Sequence, residues 1–178
     1  MSGSSNSNDF ADLIYSNVGK YPALTGYDFI FLQYSPTPES WSWKVNYNDI
    51  SAAREQWNNN GLVSYMWHWN VPTSESAWKN GTEKGDYTGY AFYSDKTAFD
   101  IKEALKEGTW QNQFLMKDIE EVASYLKNLR DAGIPVIWRP LHEAAGNYNL
   151  YSDNGAWFWW GKGGAEPCKQ LWRLLYDQ

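Results

Sequence analysis

The chain has 178 residues and a net charge of −6, and it contains two histidines and one cysteine. This length allows one domain with a hydrophobic core, and the acidic balance argues against nucleic acid or an anionic membrane surface as a partner. A single cysteine excludes an internal disulfide. Two histidines and one cysteine are also too few ligands to suggest a dense zinc site. Since no run of 18 apolar residues is present, we expect no membrane span.

The first half of the chain begins with residues 1–8, which are rich in Ser, Asn and Gly and have the composition of a linker or tail. The pattern that follows alternates between helical and strand periods. In chain order it predicts a helix over 9–16, a strand over 22–33, a loop over 35–39, a helix over 48–60, a strand over 62–69 and a long polar loop over 71–95.

The second half of the chain continues this alternation. It predicts helices over 97–107 and 112–132, a strand over 135–143, a loop rich in glycine and aromatic residues over 148–164, and a helix over 166–176. Strands that alternate with helices form parallel sheets through crossover connections. The sequence therefore predicts an α/β fold, and it shows no internal repeat.

Aromatic side chains are the strongest compositional signal, with 12 Trp, 13 Tyr and 7 Phe. Most aromatic residues pack in protein interiors, and that is the simplest interpretation of any single one. Indole faces also stack on the flat C–H faces of sugar rings. Taken as a set, these residues favour a neutral sugar polymer as the substrate.

Both histidines follow runs that are predicted to be strands. His68 lies in residues 67–70 (WHWN), and His142 lies in residues 139–143 (RPLHE) beside Glu143. Ligands of parallel α/β sheets bind beyond the carboxyl ends of the strands. The sequence therefore places a candidate site at these two strand ends.

Strand alternation puts Arg139 and Glu143 on one face of the third predicted strand. A buried strand must satisfy both charges, so a purely structural ion pair is one interpretation. The other is a glycosidase site, in which Glu143 protonates the leaving oxygen and a second carboxylate acts on the anomeric carbon or on water. Asp153 and Glu166 are candidates for that second carboxylate, but neither follows a strand end.

Residues 138–143 (WRPLHE), followed by residues 155–161 (GAWFWWG), resemble glycoside hydrolase family 26, whose best-known members are endo-β-1,4-mannanases. Residues 67–72 (WHWNVP) are similar to the histidine-bearing third-strand motif of that family. Residues 22–28 (PALTGYD) are similar to its second-strand segment. The resemblance extends over most of the chain, from about Leu13 onward.

This resemblance implies a TIM barrel and a retaining mechanism with Glu143 as the general acid/base at the end of the fourth strand. It also implies that His68 and His142 line the subsite where the bond breaks. Trp157 would stack on sugar near that subsite, and Arg139 would support Glu143 from beneath. The family uses no cofactor and no metal, so none is expected here.

A complete (β/α)8 barrel needs about 250 residues, and only strands that resemble the second to fourth are predicted. We therefore expect a partial barrel, in which residues 9–178 form an incomplete catalytic domain. The nucleophilic Glu of the family lies at the end of the seventh strand and is expected outside this chain. The fragment alone is expected to be inactive and to associate with itself through open sheet edges.

The expected substrate is β-mannan or a related plant polysaccharide, and the expected location is secreted, cell-surface or periplasmic. The same architecture serves β-1,3-xylan and mixed-linkage β-glucan, which remain alternatives because sugar selection depends on contacts to individual hydroxyl groups. A non-catalytic sugar-binding fragment is a further alternative. The aromatic content fits that alternative, whereas the alternation of strands and helices argues against it.

Overall fold

The structure, a computed structural model, describes residues 6–32, 45–146 and 156–178. The elements within these ranges are α1 (Asp9–Val18), β1 (Leu24–Asp28), α2 (Ser51–Asn58), β2 (Leu62–Met66), β3 (Val71–Pro72), α3 (Glu75–Lys84), β4 (Tyr90–Ala91), α4 (Ile101–Ala104), α5 (Trp110–Asp131), β5 (Val136–Arg139), α6 (Trp159–Lys162) and α7 (Ala165–Asp177).

The chain divides into two compact units. The described part of the first unit falls within Met1–Leu32, Lys44–His68 and Val122–Pro140. The described part of the second unit falls within Trp69–Glu121 and Leu141–Gln178.

The first unit contains a parallel sheet in the order β1-β2-β5. Leu24 pairs with Leu62, and Val63 pairs with Val136. The predicted α/β pattern of parallel strands is therefore confirmed. Each strand is shorter than predicted: β1 and β2 end before the aromatic and aliphatic residues that follow them, and β5 ends before Pro140.

One face of this sheet carries the aromatic core of the first unit. The rings of Tyr27 and Tyr65, which are paired in the ladder, lie 5.0 Å apart. Phe29 stacks on Tyr65 at 4.9 Å and lies 6.0 Å from Tyr125 of α5. Trp138 of β5 completes the cluster at 5.8 Å from Phe29.

The opposite face of the sheet presents apolar side chains to solvent. Leu24, Leu62 and Ile137 share this face because of the register and the alternation of strand residues. They are 43%, 48% and 45% exposed, one on each strand. This face is thus only partly covered at these three positions.

The predicted loop over 71–95 is wrong, because this segment of the second unit contains β3, α3 and β4. Helix α3 begins at a typical cap, where the Ser74 hydroxyl accepts the Ala77 N–H at 3.2 Å. It ends at Gly85, which adopts the left-handed conformation at φ 66°. Its polar composition, ESAWKNGTEK, gave no apolar stripe from which the helix could be predicted.

The core of the second unit is built on two fully buried tryptophans. The Trp159 indole N–H donates to the Trp69 carbonyl at 2.8 Å, and the two rings meet edge to face at 5.2 Å. The Trp69 indole N–H donates to the buried carboxylate of Asp118 at 2.9 Å. Phe99 packs on Trp159 at 5.0 Å.

The four helices predicted over 9–16, 48–60, 112–132 and 166–176 are confirmed as α1, α2, α5 and α7. The helix predicted over 97–107 is only the short α4. The predicted loop over 148–164 contains α6, and its residues 148–155 lie outside the described ranges, as does the loop over 35–39. Among the described helices, none has the length and apolar character needed to cross a membrane.

Candidate functional site

Glu143 lies beyond the end of β5, within a series of turns over residues 140–146. The prediction that Glu143 belongs to the strand is wrong, because Pro140 has no N–H to donate to a ladder and the strand ends at Arg139. Glu143 is exposed and adopts a left-handed backbone at φ 52°. For a residue other than glycine this conformation costs of order 1–3 kcal/mol, and such strain clusters at functional sites.

The turn that carries Glu143 is fastened to the segment 156–161 of the second unit. The Gly146 N–H donates to the Glu143 carbonyl at 2.7 Å, and the Gly146 carbonyl accepts the Trp157 N–H at 3.2 Å. Gly161 packs directly on the turn, since a β-carbon there would lie 2.2 Å from the Ala144 carbonyl oxygen. These contacts hold the strained residue in place.

His142 is buried among aromatic rings of the same segment, with 9% of its surface exposed. Its ring lies 5.4 Å from that of Phe158 and 5.6 Å from that of Trp160, and these two rings stack on each other at 4.5 Å. The Trp160 indole N–H donates to the His142 carbonyl at 3.1 Å. Contacts to both its backbone carbonyl and its ring thus hold His142, the residue next to Glu143, in place.

Trp157 is an exposed aromatic residue beside this turn, with 42% of its surface accessible. Its carbonyl accepts the Ser94 N–H at 2.7 Å, which fixes the backbone. Its indole lies against Gly146, where a β-carbon would meet the indole nitrogen at 2.2 Å. A fixed and accessible indole of this kind can stack on a sugar ring.

His68 lies in the first unit, two residues beyond the end of β2, and is partly exposed. Its ring nitrogen Nδ1 contacts the carboxylate of Asp28, the last residue of β1. Asp28 did not emerge as a candidate from the sequence. The available signal was the same one that identified His68, because a charged side chain directly at the end of a buried strand is unusual.

Arg139 is also in the first unit, at the end of β5, and it is exposed. The expectation of a buried third strand is wrong, because β5 lies at the edge of the sheet and Ile137 and Arg139 face solvent. An exposed guanidinium needs no buried partner.

Of the two candidates for a second carboxylate, only Glu166 lies within the described residues. Glu166, in the first turn of α7, is exposed and forms an ion pair with Lys169 at 2.6 Å. The hydrogen bond from Lys169 lowers the pKa of Glu166, as expected for a solvated surface carboxylate. Asp153 lies outside the described residues. Within the described ranges, no group of three or more His, Cys, Asp or Glu side chains could hold a metal ion.

Comparison with known proteins connects this geometry to a family. The family model described as glycosyl hydrolase family 26 matches residues 1–178. A mannan endo-1,4-beta-mannosidase of Thermothelomyces thermophilus is 39% identical over 175 residues, which are 95% of this chain and 32% of that protein.

Solved structures give the same result. A GH26 domain from an endo-beta-mannanase/endo-beta-glucanase of Prevotella bryantii superposes with a TM-score of 0.83 at 41% identity, covering 97% of this chain and 51% of that domain. A second structure is that of a beta-mannanase from a symbiotic protist of the termite Reticulitermes speratus, complexed with gluco-manno-oligosaccharide. It superposes with a TM-score of 0.70 at 34% identity, covering 96% of this chain and 47% of that chain. The chain thus spans about a third to a half of the length of these relatives.

Proposed function

Because the chain belongs to glycosyl hydrolase family 26, we propose that it forms part of the catalytic domain of a mannan endo-1,4-beta-mannosidase with Glu143 as the general acid/base. The observation that supports this role most strongly is the strained, left-handed backbone of Glu143, an exposed residue in the turns that follow β5. A glycosidase needs such a carboxyl group to protonate the leaving oxygen.

The proposed roles of the neighbouring residues follow from their surroundings. Trp157 presents a fixed indole on which a sugar ring can stack, and His142 is held by the rings of Phe158 and Trp160. His68 binds sugar hydroxyl groups at the strand end of the first unit. Arg139, at the end of β5, is a supporting residue that takes no part in the chemistry.

We further propose that residues 9–178 supply strands two to four of a TIM barrel. A retaining enzyme needs a second carboxyl group about 5–5.5 Å from the first. We assign that nucleophile to sequence outside these 178 residues. The exposed face with Leu24, Leu62 and Ile137 supports this assignment, because a closed barrel would cover it.

Mannan is the substrate that the names of the relatives favour over β-1,3-xylan or mixed-linkage β-glucan. The aromatic groups beside Glu143 suit a neutral polysaccharide. Because a polysaccharide is too large to cross a plasma membrane, we propose that the enzyme works outside the cell, at the cell surface or in the periplasm.

A chimeric enzyme tests the proposal. In it, residues 1–178 replace the matching half of the Prevotella bryantii GH26 domain, which the chain covers to 51%. We expect this chimeric enzyme to release reducing sugar from mannan faster than from xylan or mixed-linkage glucan. The Glu143→Ala variant should lose that activity. A soluble chimeric enzyme that hydrolyses mannan equally well with and without Glu143 would refute the proposed function.

A further inference from the structure

We propose that Asp28 is a positioning residue that holds His68 in the tautomer with its proton on Nδ1, so that Nε2 accepts a hydrogen bond from a substrate hydroxyl group. The inference rests on the proposed function, because the hydroxyl group belongs to the sugar that the enzyme would cleave. In the first unit, Asp28 is the last residue of β1 and His68 lies two residues beyond the end of β2.

Each carboxylate oxygen of Asp28 contacts a different nitrogen of His68. Oδ1 accepts the backbone N–H of His68 at 2.9 Å. Oδ2 contacts the ring nitrogen Nδ1. The Asp28 side chain is 7% exposed and that of His68 is 26% exposed, so the carboxylate is shielded while the His68 side chain is partly exposed.

The backbone of Asp28 is fixed in turn by a buried phenol. The Tyr47 hydroxyl donates to the Asp28 carbonyl at 2.7 Å and accepts the Phe31 N–H at 3.2 Å. Burial raises the pKa of Tyr47, so the phenol remains a neutral donor at any working pH. A carboxylate held on both its backbone and its side chain imposes its geometry on the histidine.

The tautomer follows from the chemistry of the acceptor. An ionised carboxylate only accepts hydrogen bonds, so the Nδ1 that contacts it carries a proton. In the neutral imidazole Nε2 then has the lone pair and is the acceptor. A sugar hydroxyl group is a donor that suits this acceptor.

The Asp28→Asn variant provides the sharpest test because its size is unchanged. The backbone N–H of His68 is always a donor, so it keeps an oxygen acceptor, which in this variant is the amide oxygen of the Asn. The amide NH₂ then faces Nδ1; because NH₂ can only donate, Nδ1 must accept, and the ring proton moves to Nε2. We expect nitrogen-15 NMR of histidine-labelled chimeric enzyme, with His68→Gln to assign the signal, to show protonated Nδ1 in the parent and protonated Nε2 in Asp28→Asn.

The same variant should lower kcat/KM for manno-oligosaccharides by about tenfold or more, the loss of one matched hydrogen bond, with an unchanged melting temperature. The control Asp131→Asn makes the same chemical change at an exposed carboxylate paired with Arg130 and should leave kcat/KM unaltered. An unchanged His68 tautomer, or full activity of Asp28→Asn, would overturn the inference alone. A parent chimeric enzyme without mannan hydrolysis would instead overturn the proposed function and, with it, the role of Asp28.

Discussion

Gly146 lies so close to Trp157 that a β-carbon added to the glycine would stand 2.2 Å from the indole nitrogen. The exposed indole therefore rests on the turn that carries Glu143, whose carbonyl accepts the Gly146 N–H. The proposed stacking platform and the proposed acid/base residue thus share one support. A change in that support should disturb both.

The variant Gly146→Ala tests this shared support. Because the new methyl group must displace the indole or the turn, we expect overpacking that costs about 1–3 kcal/mol of stability and a lower kcat/KM on mannan. The measurement is thermal unfolding and kinetics of the chimeric enzyme. Unchanged stability and unchanged kcat/KM in Gly146→Ala would show that the close approach has no consequence.

Removal of the platform itself is a separate prediction. Trp157→Ala should weaken productive binding of manno-oligosaccharides by about 1–3 kcal/mol, because an apolar surface for the sugar is lost. Kinetics of the chimeric enzyme on oligosaccharides of increasing length provide the measurement. Trp57→Ala, which removes an exposed tryptophan of α2, is the matched control. If Trp157→Ala retains the parent's kcat/KM, the ring only packs on the turn.

The pair of Trp69 and Asp118 predicts a change in stability. The indole N–H donates to a fully buried carboxylate at 2.9 Å, and Trp69→Phe removes that donor. Hydrogen bonds to charged groups contribute about 1.5–3 kcal/mol. We expect a loss of at least this size in urea unfolding of the chimeric enzyme, since a smaller ring also leaves a void. Trp57→Phe at the surface should change stability little. A similarly small loss for Trp69→Phe would show that the hydrogen bond from Trp69 to Asp118 does not stabilise the fold.

The exposed sheet face predicts the behaviour of residues 1–178 on their own. Leu24, Leu62 and Ile137 are each nearly half exposed on three adjacent strands, and covering apolar surface contributes about 25 cal/mol per Å². We expect the isolated chain to be marginally stable or to self-associate, and to release no reducing sugar from mannan. Analytical sedimentation and an activity assay provide the measurements. A stable monomer with the turnover of a full-length relative would show that a second catalytic carboxylate lies within this chain.

The sequence predicted the parts of the fold that are governed by periodicity. Long amphipathic helices such as α5 and the three parallel strands were evident, because apolar residues recur at helical or strand spacing. Helix α3 was missed because it is set by its caps at Ser74 and Gly85 and has no apolar stripe. The end of β5 was placed too late, because the prediction continued through Pro140, which lacks the N–H that a ladder residue donates.

The candidate site was likewise only partly predictable from the sequence. The motif around Glu143 and the aromatic run after it identified which residues to consider, and the structure joins them through Gly146 and Gly161. The left-handed conformation of Glu143 and the contact of Asp28 with His68 depend on tertiary packing. Neither could be derived from spacing along the chain.

The most direct test of the account is the dependence of the Glu143→Ala defect on the leaving group. A general acid contributes about 10²–10⁴-fold, and a leaving group that needs no proton does not benefit from it in the first step. In the chimeric enzyme we therefore predict that Glu143→Ala lowers kcat/KM on mannan by about this factor and on a dinitrophenyl β-mannoside by much less. Near-normal hydrolysis of mannan by Glu143→Ala, or an equal loss on both substrates, would contradict the assignment of Glu143 as the general acid/base.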